Sequence, residues 1–289
     1  MSAIPPGLLP PRPPTMQKGD AGRIFILAGS VGMSGAAALC TMGALRVGAG
    51  LVTLGIPKSL HAPMVEKLTE SMFKVLPETK EGSLSLQGFP EIMQTIERMD
   101  AAAMGPGLSR HPQTAELIRQ LLPKIQKPLV LDADGLNALA EELALLKQLP
   151  LPIIVTPHPG EMGHLARLSA DDVQQDRERI ALEFAKKYRV VVALKGHQTV
   201  VASYDGQLYI NETGNPGMAS GGAGDVLTGV IVGLLGQKLA LFDAARLGVY
   251  LHGLAGDLAA KERGEIGLIA SDLADRIPLA IRQYQTLPV

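Results

Sequence analysis

A glycine-rich segment, Gly214–Asp225 (GNPGMASGGAGD), stands directly before an apolar stretch that begins near Val226. Backbone amide groups at a glycine-rich helix start point outward and, together with the helix dipole, bind phosphate oxygens. The segment therefore predicts an anion hole. Asp225 falls in the first helical turn, where an aspartate can act simply as a helix cap. A carboxylate beside a phosphate site can also accept the proton of a hydroxyl that attacks phosphorus, and we predict this catalytic role for Asp225.

Two further segments carry polar side chains suited to a ligand site. Lys195–Thr199 (KGHQT) follows an apolar run, so Lys195 and Thr199 either flank the phosphates or sugar of a nucleotide or are merely solvated. Thr156–Glu161 (TPHPGE) holds a histidine between two prolines, and proline fixes its own φ and restricts the preceding residue. This rigid presentation favours a functional role for His158, and the alternative is a surface histidine in a turn.

The remaining segments give weaker signals. Gly105–Leu108 (GPGL) lets the backbone approach a ligand closely, but such glycines serve tight turns equally well. Gly29–Ala37 (GSVGMSGAA) superficially resembles a phosphate loop but lacks the Gly-Lys-Ser/Thr ending of a Walker A motif, so we reject a P-loop. Asp132 and Asp134 either hold magnesium through water or cap a helix near Leu136.

All of these segments except Gly214–Asp225 follow short runs rich in β-forming residues, with helical stretches between most of the runs. The runs are Arg23–Ala28, Leu51–Ile56, Ala101–Met104, Pro128–Leu131, Pro152–Val155 and Val190–Leu194. Such alternation predicts an α/β fold with a mostly parallel central sheet and helices on both faces. In an open α/β sheet, ligands bind beyond the carboxyl ends of the strands. We therefore expect the segments to line one crevice.

The C-terminal part of the chain adds a hairpin and helices. Thr199–Ser203 and Gln207–Asn211 flank a turn and predict an antiparallel pair, so the sheet should be mixed. Apolar periodicity predicts helices from about Val226 onward, over Asp243–Lys261 and over Asp272–Tyr284. We expect a proline-rich N-terminal arm over residues 1–20, flexible or docked, and a single domain over residues 21–289.

Composition excludes several classes of protein. Lysine and arginine total 27 against 28 acidic residues, so bulk charge indicates neither a nucleic-acid partner nor a membrane surface. The single cysteine, Cys40, lies in an apolar run, which favours a buried thiol in a reducing compartment. The N-terminus lacks the pattern of a secretory signal, and no apolar stretch is long enough for a membrane span. We expect a soluble, cytoplasmic protein.

Taken in chain order, these motifs resemble the ADP/ATP-dependent NAD(P)H-hydrate dehydratases of the ribokinase-like superfamily. The matching segments are the small-residue loop Ser30–Ala37, GPGL at 105–108, LDAD at 131–134, TPHPGE at 156–161, KGxxT at 195–199 and GGAGD at 221–225. The resemblance runs from about residue 20 to the C-terminus, and TPHPGE separates this family from sugar and vitamin kinases of the same fold. It implies a ribokinase-like three-layer sandwich.

The resemblance also implies site residues. The hydrated cofactor is expected at Ala37, Gly107, His158 and Asp225. The nucleotide, ADP or AMP, is expected at Lys195, Gly196, His197, Gln198, Thr199 and Gly224. The anion hole is expected at Gly222, Ala223 and Gly224.

The implied reaction repairs hydrated NADH or NADPH. The hydroxyl of the (S)-hydrate is phosphorylated and phosphate is then eliminated, with Asp225 as the base and the backbone donors of the anion hole stabilising the transferred group. Magnesium, the implied cofactor, would neutralise the nucleotide phosphates and be bound mostly through them; its protein ligands are unknown. The resemblance further suggests a homotetramer. Many relatives carry an epimerase domain for which this chain has no room, so we expect a functional link to a separate NAD(P)H-hydrate epimerase.

The sequence departs from the family pattern at three positions. The family often has tyrosine where Met33 stands, threonine where Ala223 stands and glycine where Ser109 stands. A hydroxyl donor is lost at the first two, but backbone donors survive, so the anion hole should persist with altered affinity. Likeness to bacterial members favours ADP, although the residues decide neither between ADP and ATP nor between NADH-hydrate and NADPH-hydrate.

Two other functions remain open at the level of sequence. A small-molecule kinase of the same superfamily, acting on a vitamin-like alcohol, would share the Gly-Ala-Gly-Asp motif, and fold alone does not separate the two activities. A non-catalytic nucleotide sensor would keep the pocket without the reaction. His158 and its neighbours favour the dehydratase over the kinase, and the intact Asp225 argues against the sensor.

Overall fold

The computed structural model of the chain describes residues 4–9 and 11–287, and its central feature is one large sheet. The strands found within these residues are β1 (Arg23–Leu27), β2 (Leu51–Pro57), β3 (Met72–Leu76), β4 (Ala101–Met104), β5 (Leu129–Leu131), β6 (Ile154–Val155), β7 (Val191–Leu194), β8 (Val200–Ala202) and β9 (Leu208–Ile210). Their spatial order is β3-β2-β1-β4-β5-β6-β7-β8-β9. Strands β1 to β7 pair in parallel, and β8 and β9 are antiparallel.

Helices cover both faces of this sheet. The α-helices of the described residues are α1 (Ser34–Arg46), α2 (His61–Lys67), α3 (Phe89–Glu97), α4 (Pro112–Leu121), α5 (Asp134–Ala140), α6 (Pro159–Ala166), α7 (Ala170–Gln175), α8 (Arg177–Tyr188), α9 (Ala223–Gly236), α10 (Leu241–Arg263) and α11 (Ala270–Tyr284). In the part of the chain that the structure describes, no helix combines the length and apolar character needed to span a membrane.

Two apolar cores lie on opposite faces of the sheet. Alternate residues of β1 point to opposite sides, so Ile24 and Ile26 join one core while Phe25 and Leu27 join the other. Burial on both faces explains why the inner strands are continuous apolar runs. The predicted three-layer α/β arrangement is confirmed, as are the C-terminal hairpin and the helices after Val226.

Strand β3 was not predicted. It pairs with β2 at the edge of the sheet, where Met72 is 46% exposed and Val75 37% exposed. Edge strands are half solvated, and Lys74 interrupts the apolar run that marks the buried strands. This half-solvated strand therefore lacks the continuous apolar run by which the inner strands were predicted.

The N-terminal segment predicted as an arm contacts the C-terminal helix. The amide of Leu8 donates to the Tyr284 hydroxyl at 2.9 Å, and this hydroxyl donates to the Pro5 carbonyl oxygen at 2.6 Å. Leu9 is buried in the same apolar core as Ile24 and Ile26 of β1. Residues 1–3 and 10 lie outside the described residues. The domain boundary after residue 20 stays a prediction.

The glycine-rich segment is placed by the packing of α9 on α1. A Cβ atom on Gly229 would lie 1.9 Å from the carbonyl oxygen of Cys40, and one on Gly43 would lie 2.4 Å from the carbonyl oxygen of Val226. Only glycine at these positions allows the two backbones to approach so closely. The N-terminal end of α9 is thereby held over the carboxyl ends of the strands.

We expect Gly229→Ala to lower the free energy of unfolding by about 1–3 kcal/mol, because the added methyl group forces α1 and α9 apart. Urea unfolding measures the loss. Gly35→Ala is the matched control, since its added Cβ meets no atom within 4 Å. If both variants unfold at the same denaturant concentration, the close approach of the helices is not required.

Candidate active site

The segment predicted as an anion hole is an open helix N-terminus. Helix α9 begins at Ala223, its N-cap residue Gly222 has φ 94°, and no side chain caps it. Among the described residues, no acceptor receives the amide hydrogens of Gly224 or Asp225. Unpaired amides at a helix start favour an anionic group. Asp225 does not act as the helix cap, so that alternative is wrong.

The Asp225 carboxylate lies half-buried beside these amides. No hydrogen bond to it is donated by any residue that the structure describes. Burial raises the pKa of Asp225 from 3.8 to about 6, and the negative charge of Asp132 adds to the rise while Lys195 opposes it. A carboxylate with this pKa and no hydrogen-bond donor is suited to accept a proton near neutral pH.

Lys195 belongs to a buried charge network under the N-terminus of α9. Its Nζ lies 2.8 Å from Oδ1 of Asp132 and 3.8 Å from Oε2 of Glu161. The Thr228 hydroxyl donates to the other Asp132 oxygen at 2.6 Å. Burial disfavours the charged amine, but Asp132 and Glu161 outweigh burial and raise the pKa of Lys195. A Cβ on Gly224 would lie 3.3 Å from Nζ, so the lysine sits directly beside the anion hole.

Asp132 and Asp134 do not cap a helix, and that alternative is wrong. The N-cap residue of α5 is Ala133, with no side-chain capping bond. The oxygens of Asp134 instead accept the amide of Ser109 at 2.9 Å and the side-chain amide of Asn137 at 3.1 Å. In the described residues, no group of three or more His, Cys, Asp or Glu side chains is placed to hold a metal ion.

His158 is the N-cap residue of α6. Its Nδ1 accepts the amides of Gly160 at 3.0 Å and Glu161 at 3.2 Å, and Oε2 of Glu161 accepts the His158 amide at 2.8 Å. Because Nδ1 is an acceptor, the neutral ring carries its hydrogen on Nε2. The side chain is 56% exposed. Oε1 of Glu161 lies 3.6 Å from Nε2, too far for a hydrogen bond, so this N–H is available to a ligand while Nδ1 stays engaged in the cap.

The loop that carries His158 is tied to the predicted nucleotide segment. The Lys195 amide donates to the Pro157 carbonyl oxygen at 2.9 Å. His197 and Gln198 are exposed, and the Thr199 hydroxyl donates to the Gly196 carbonyl oxygen at 3.0 Å. The structure thus brings His158, Lys195 and the start of α9 together at one end of the sheet.

The other predicted substrate contacts lie where the strand order reverses, between β1 and β4. Such reversals are where α/β sheets bind ligands. The Ser30 hydroxyl donates to the Gly107 carbonyl oxygen at 2.8 Å, joining the loops that follow these strands. Gly107 has φ 61°, and an added Cβ would lie 2.8 Å from the Met33 carbonyl oxygen. Ala37 is fully buried, so its contact with a substrate stays a prediction.

Sequence reasoning missed two residues of the site. Thr228 lies one turn after Asp225 in an otherwise apolar helix, and this spacing was an available signal. Arg177 lies at the start of α8 and contacts the carbonyl oxygens of Leu194 and His197, which are 17 and 20 residues away in sequence. No local pattern marks Arg177.

The chain is similar in sequence to proteins of one enzyme family. The family model for NAD(P)H-hydrate dehydratase matches residues 24–279. The bifunctional NAD(P)H-hydrate repair enzyme Nnr of Moorella thermoacetica is 47% identical over 277 residues, which are 96% of this chain and 52% of that protein. The Nnr enzyme of Escherichia coli is 38% identical over 265 residues, 92% of this chain and 48% of that protein. The chain thus spans about half the length of the curated relatives it matches.

A solved structure covers nearly the whole chain. The ADP/ATP-dependent NAD(P)H-hydrate dehydratase of Bacillus subtilis, co-crystallised with ATP and Mg²⁺, superposes with a TM-score of 0.81 at 32% identity, covering 96% of this chain and 94% of that one. The match to the family model includes every segment that forms the site described above. The chain belongs to the NAD(P)H-hydrate dehydratase family and has its ribokinase-like fold.

Proposed function

We propose that the chain is an ADP-dependent (S)-NAD(P)H-hydrate dehydratase that restores NADH or NADPH from its hydrate and releases AMP and phosphate. The observation that carries the proposal is the pairing of an uncapped α9 N-terminus with the Asp225 carboxylate, to which no described residue donates a hydrogen bond. The first binds a phosphoryl group and the second removes the proton of the attacking hydroxyl. ATP can replace ADP in the same chemistry.

In the first step Asp225 accepts the proton of the hydrate hydroxyl. The hydroxyl oxygen attacks the terminal phosphorus of ADP, the bond from this phosphorus to the bridging oxygen breaks, and AMP leaves. The amides at Gly222 and Gly224 stabilise the negative charge on the transferred group, and the Ala223 amide joins them by giving up its long bond to the Ser220 carbonyl oxygen at 3.4 Å. In the second step the carbon–oxygen bond breaks with loss of a proton from the neighbouring ring carbon. Phosphate departs with the original hydroxyl oxygen, and the dihydronicotinamide ring is restored.

The remaining predicted residues bind and orient the two substrates. His158 donates from Nε2 to the hydrate, and the backbone at Ala37 and Gly107 shapes the crevice beneath it. The segment Lys195–Thr199 together with Gly224 holds the nucleotide. The oxygens of Asp132 are engaged by Lys195 and a hydroxyl, which suits magnesium bound mainly through the nucleotide phosphates. The metal neutralises phosphate charge when bound.

We further propose that the enzyme works in the cytoplasm as a homotetramer, without a nucleic-acid or membrane partner. An NAD(P)H-hydrate epimerase converts the R hydrate into the S hydrate that this site uses. The bifunctional NAD(P)H-hydrate repair enzymes similar to this chain support that functional link.

Activity should decline in acid because a protonated Asp225 does not accept the hydroxyl proton. With the pKa of Asp225 at about 6, kcat/KM should be level above that pH. It should fall about tenfold per pH unit below it. Initial rates with NADH-hydrate and ADP across this range give the profile. An acid limb near pH 4, the ordinary range of a solvated aspartate, would show that the base is not a buried aspartate with a raised pKa.

Absorbance at the dihydronicotinamide band tests the function itself. The purified protein is mixed with NADH-hydrate, magnesium and either ADP or ATP. A nucleotide-dependent rise establishes the dehydratase and identifies its phosphate donor. A stable phosphorylated alcohol without the rise would show a kinase instead, and nucleotide binding without any turnover would show a sensor.

A further inference from the structure

Arg177, the first residue of α8, forms hydrogen bonds with the backbone at the loop after β7, Lys195–Thr199. Nη2 of Arg177 donates to the Leu194 carbonyl oxygen at 2.7 Å, and Nη1 donates to the carbonyl oxygen of His197. The guanidinium also packs on Gly196, where an added Cβ would lie 3.1 Å from Nη2. One side chain therefore holds the backbone on both sides of Gly196.

The same contacts leave the amides of the turn free. The carbonyl oxygens of Leu194, Gly196 and His197 all accept side-chain hydrogen bonds. Among the described residues, no acceptor receives the amide hydrogens of Gly196, His197 or Gln198. Gly196 has φ 143° and Gln198 has φ 54°, so the turn departs from extended backbone. Successive unpaired amides in such a turn form a concave site for an anion.

Arg177 adds charge as well as geometry. No carboxylate pairs with it among the residues that the structure describes, and its Nε is buried without a partner. Its positive charge is therefore balanced only by carbonyl dipoles beneath the loop. A carbonyl that accepts from a cation polarises its own peptide group, which makes the adjoining amide a stronger donor. For the His197 carbonyl, that amide belongs to Gln198.

We propose that Arg177 is a positioning residue for the nucleotide, which turns the carbonyl groups of the loop toward α8 and leaves the amides of Gly196, His197 and Gln198 to bind the phosphates. The inference rests on the proposed function in taking ADP as the ligand. Arg177 itself touches no reacting atom. Its effect is confined to nucleotide affinity and does not extend to the hydrate.

Arg179 provides a matched control on the same helix. It is 57% exposed and pairs with Asp176 at 2.5 Å and Glu183 at 3.1 Å, both close in sequence. Exposed pairs of this kind contribute little to stability. Arg179→Met therefore removes a guanidinium from α8 without touching the loop.

The test measures ADP binding by calorimetry without hydrate, together with the KM for each substrate. We expect Arg177→Met to weaken ADP binding and raise the KM for ADP by about tenfold or more, as for the loss of charge-assisted hydrogen bonds. The KM for NADH-hydrate should not change. Arg177→Lys, which keeps the charge but reaches one carbonyl, should lie between wild type and Arg177→Met. Arg179→Met should bind ADP as wild type does.

ADP binding by Arg177→Met within twofold of the control would overturn the proposal, as would an equal rise in the KM for both substrates. If Arg177→Met does not fold, Arg177→Lys carries the test, and wild-type ADP affinity in it overturns the proposal. A wild-type protein that binds ADP but restores no NADH contradicts the proposed function alone, because the binding comparison still tests Arg177.

Discussion

Asp225→Asn should lower kcat/KM by about 10³-fold, within the range expected for loss of a general base. The amide keeps the shape of the carboxylate but does not accept the hydroxyl proton. Since the anion hole is formed by backbone amides, ADP should still bind. Calorimetry of ADP binding beside the absorbance assay separates the two effects.

The same variant should be more stable than wild type at neutral pH. Folding raises the pKa of Asp225 from 3.8 to about 6, so the folded protein disfavours the ionised carboxylate. The resulting cost is absent below pH 3.8, grows as the pH rises through this interval, and is complete above about pH 6. Asp225→Asn removes a cost of about 3 kcal/mol at pH 7. Urea unfolding at pH 7 and at pH 4 should show a gain only at the higher pH.

Asp275→Asn is the control for this pair of measurements. Its side chain is 48% exposed and forms a surface pair with Arg46 at 3.2 Å, so neither activity nor stability should change much. Asp225→Asn with wild-type turnover would transfer the role of base to another group. Lower stability at neutral pH would mean that Asp225 has a favourable partner in solution.

The sequence predicted the chemical groups of this site better than the long-range contacts that hold them in place. Buried parallel strands are continuous apolar runs, and the motifs that follow them were placed at the correct edge of the sheet. Glycine-rich helix starts have a local physical signature, and the open N-terminus at Gly222 has it. These features depend only on neighbours in sequence. They could therefore be predicted from one chain.

Long-range pairings have no such signature. The sequence left Lys195 either solvated or beside a nucleotide, whereas its strongest partner is Asp132, 63 residues away. The sequence likewise left His158 either a surface histidine in a turn or a functional residue. In the structure it caps helix α6, and its side chain is 56% exposed. Capping uses Nδ1 and leaves Nε2 without a hydrogen bond to any described residue, since Oε1 of Glu161 lies 3.6 Å away, so the two alternatives were compatible.

Lys195→Met should lower the free energy of unfolding by about 3–5 kcal/mol, because it leaves buried Asp132 without its cation. Asp132 is 1% exposed, and the Thr228 hydroxyl would remain as its one side-chain donor among the described residues. Lys238→Met is the matched control, since Lys238 pairs with Asp100 at 2.5 Å while 65% exposed. That surface pair should contribute less than about 1 kcal/mol. Urea unfolding of both variants gives the comparison.

A second substitution identifies the cause of the loss. Adding Asp132→Asn to Lys195→Met removes the uncompensated charge, so the double variant should be more stable than the single one. Lys195 also opposes the rise in the pKa of Asp225. Any residual activity of Lys195→Met should therefore have its acid limb above pH 6. A single variant as stable as the Lys238→Met control, with its acid limb unmoved, would contradict the buried network. Lys195 would then act through the nucleotide alone, and the basicity of Asp225 would depend on burial and on the remaining carboxylates.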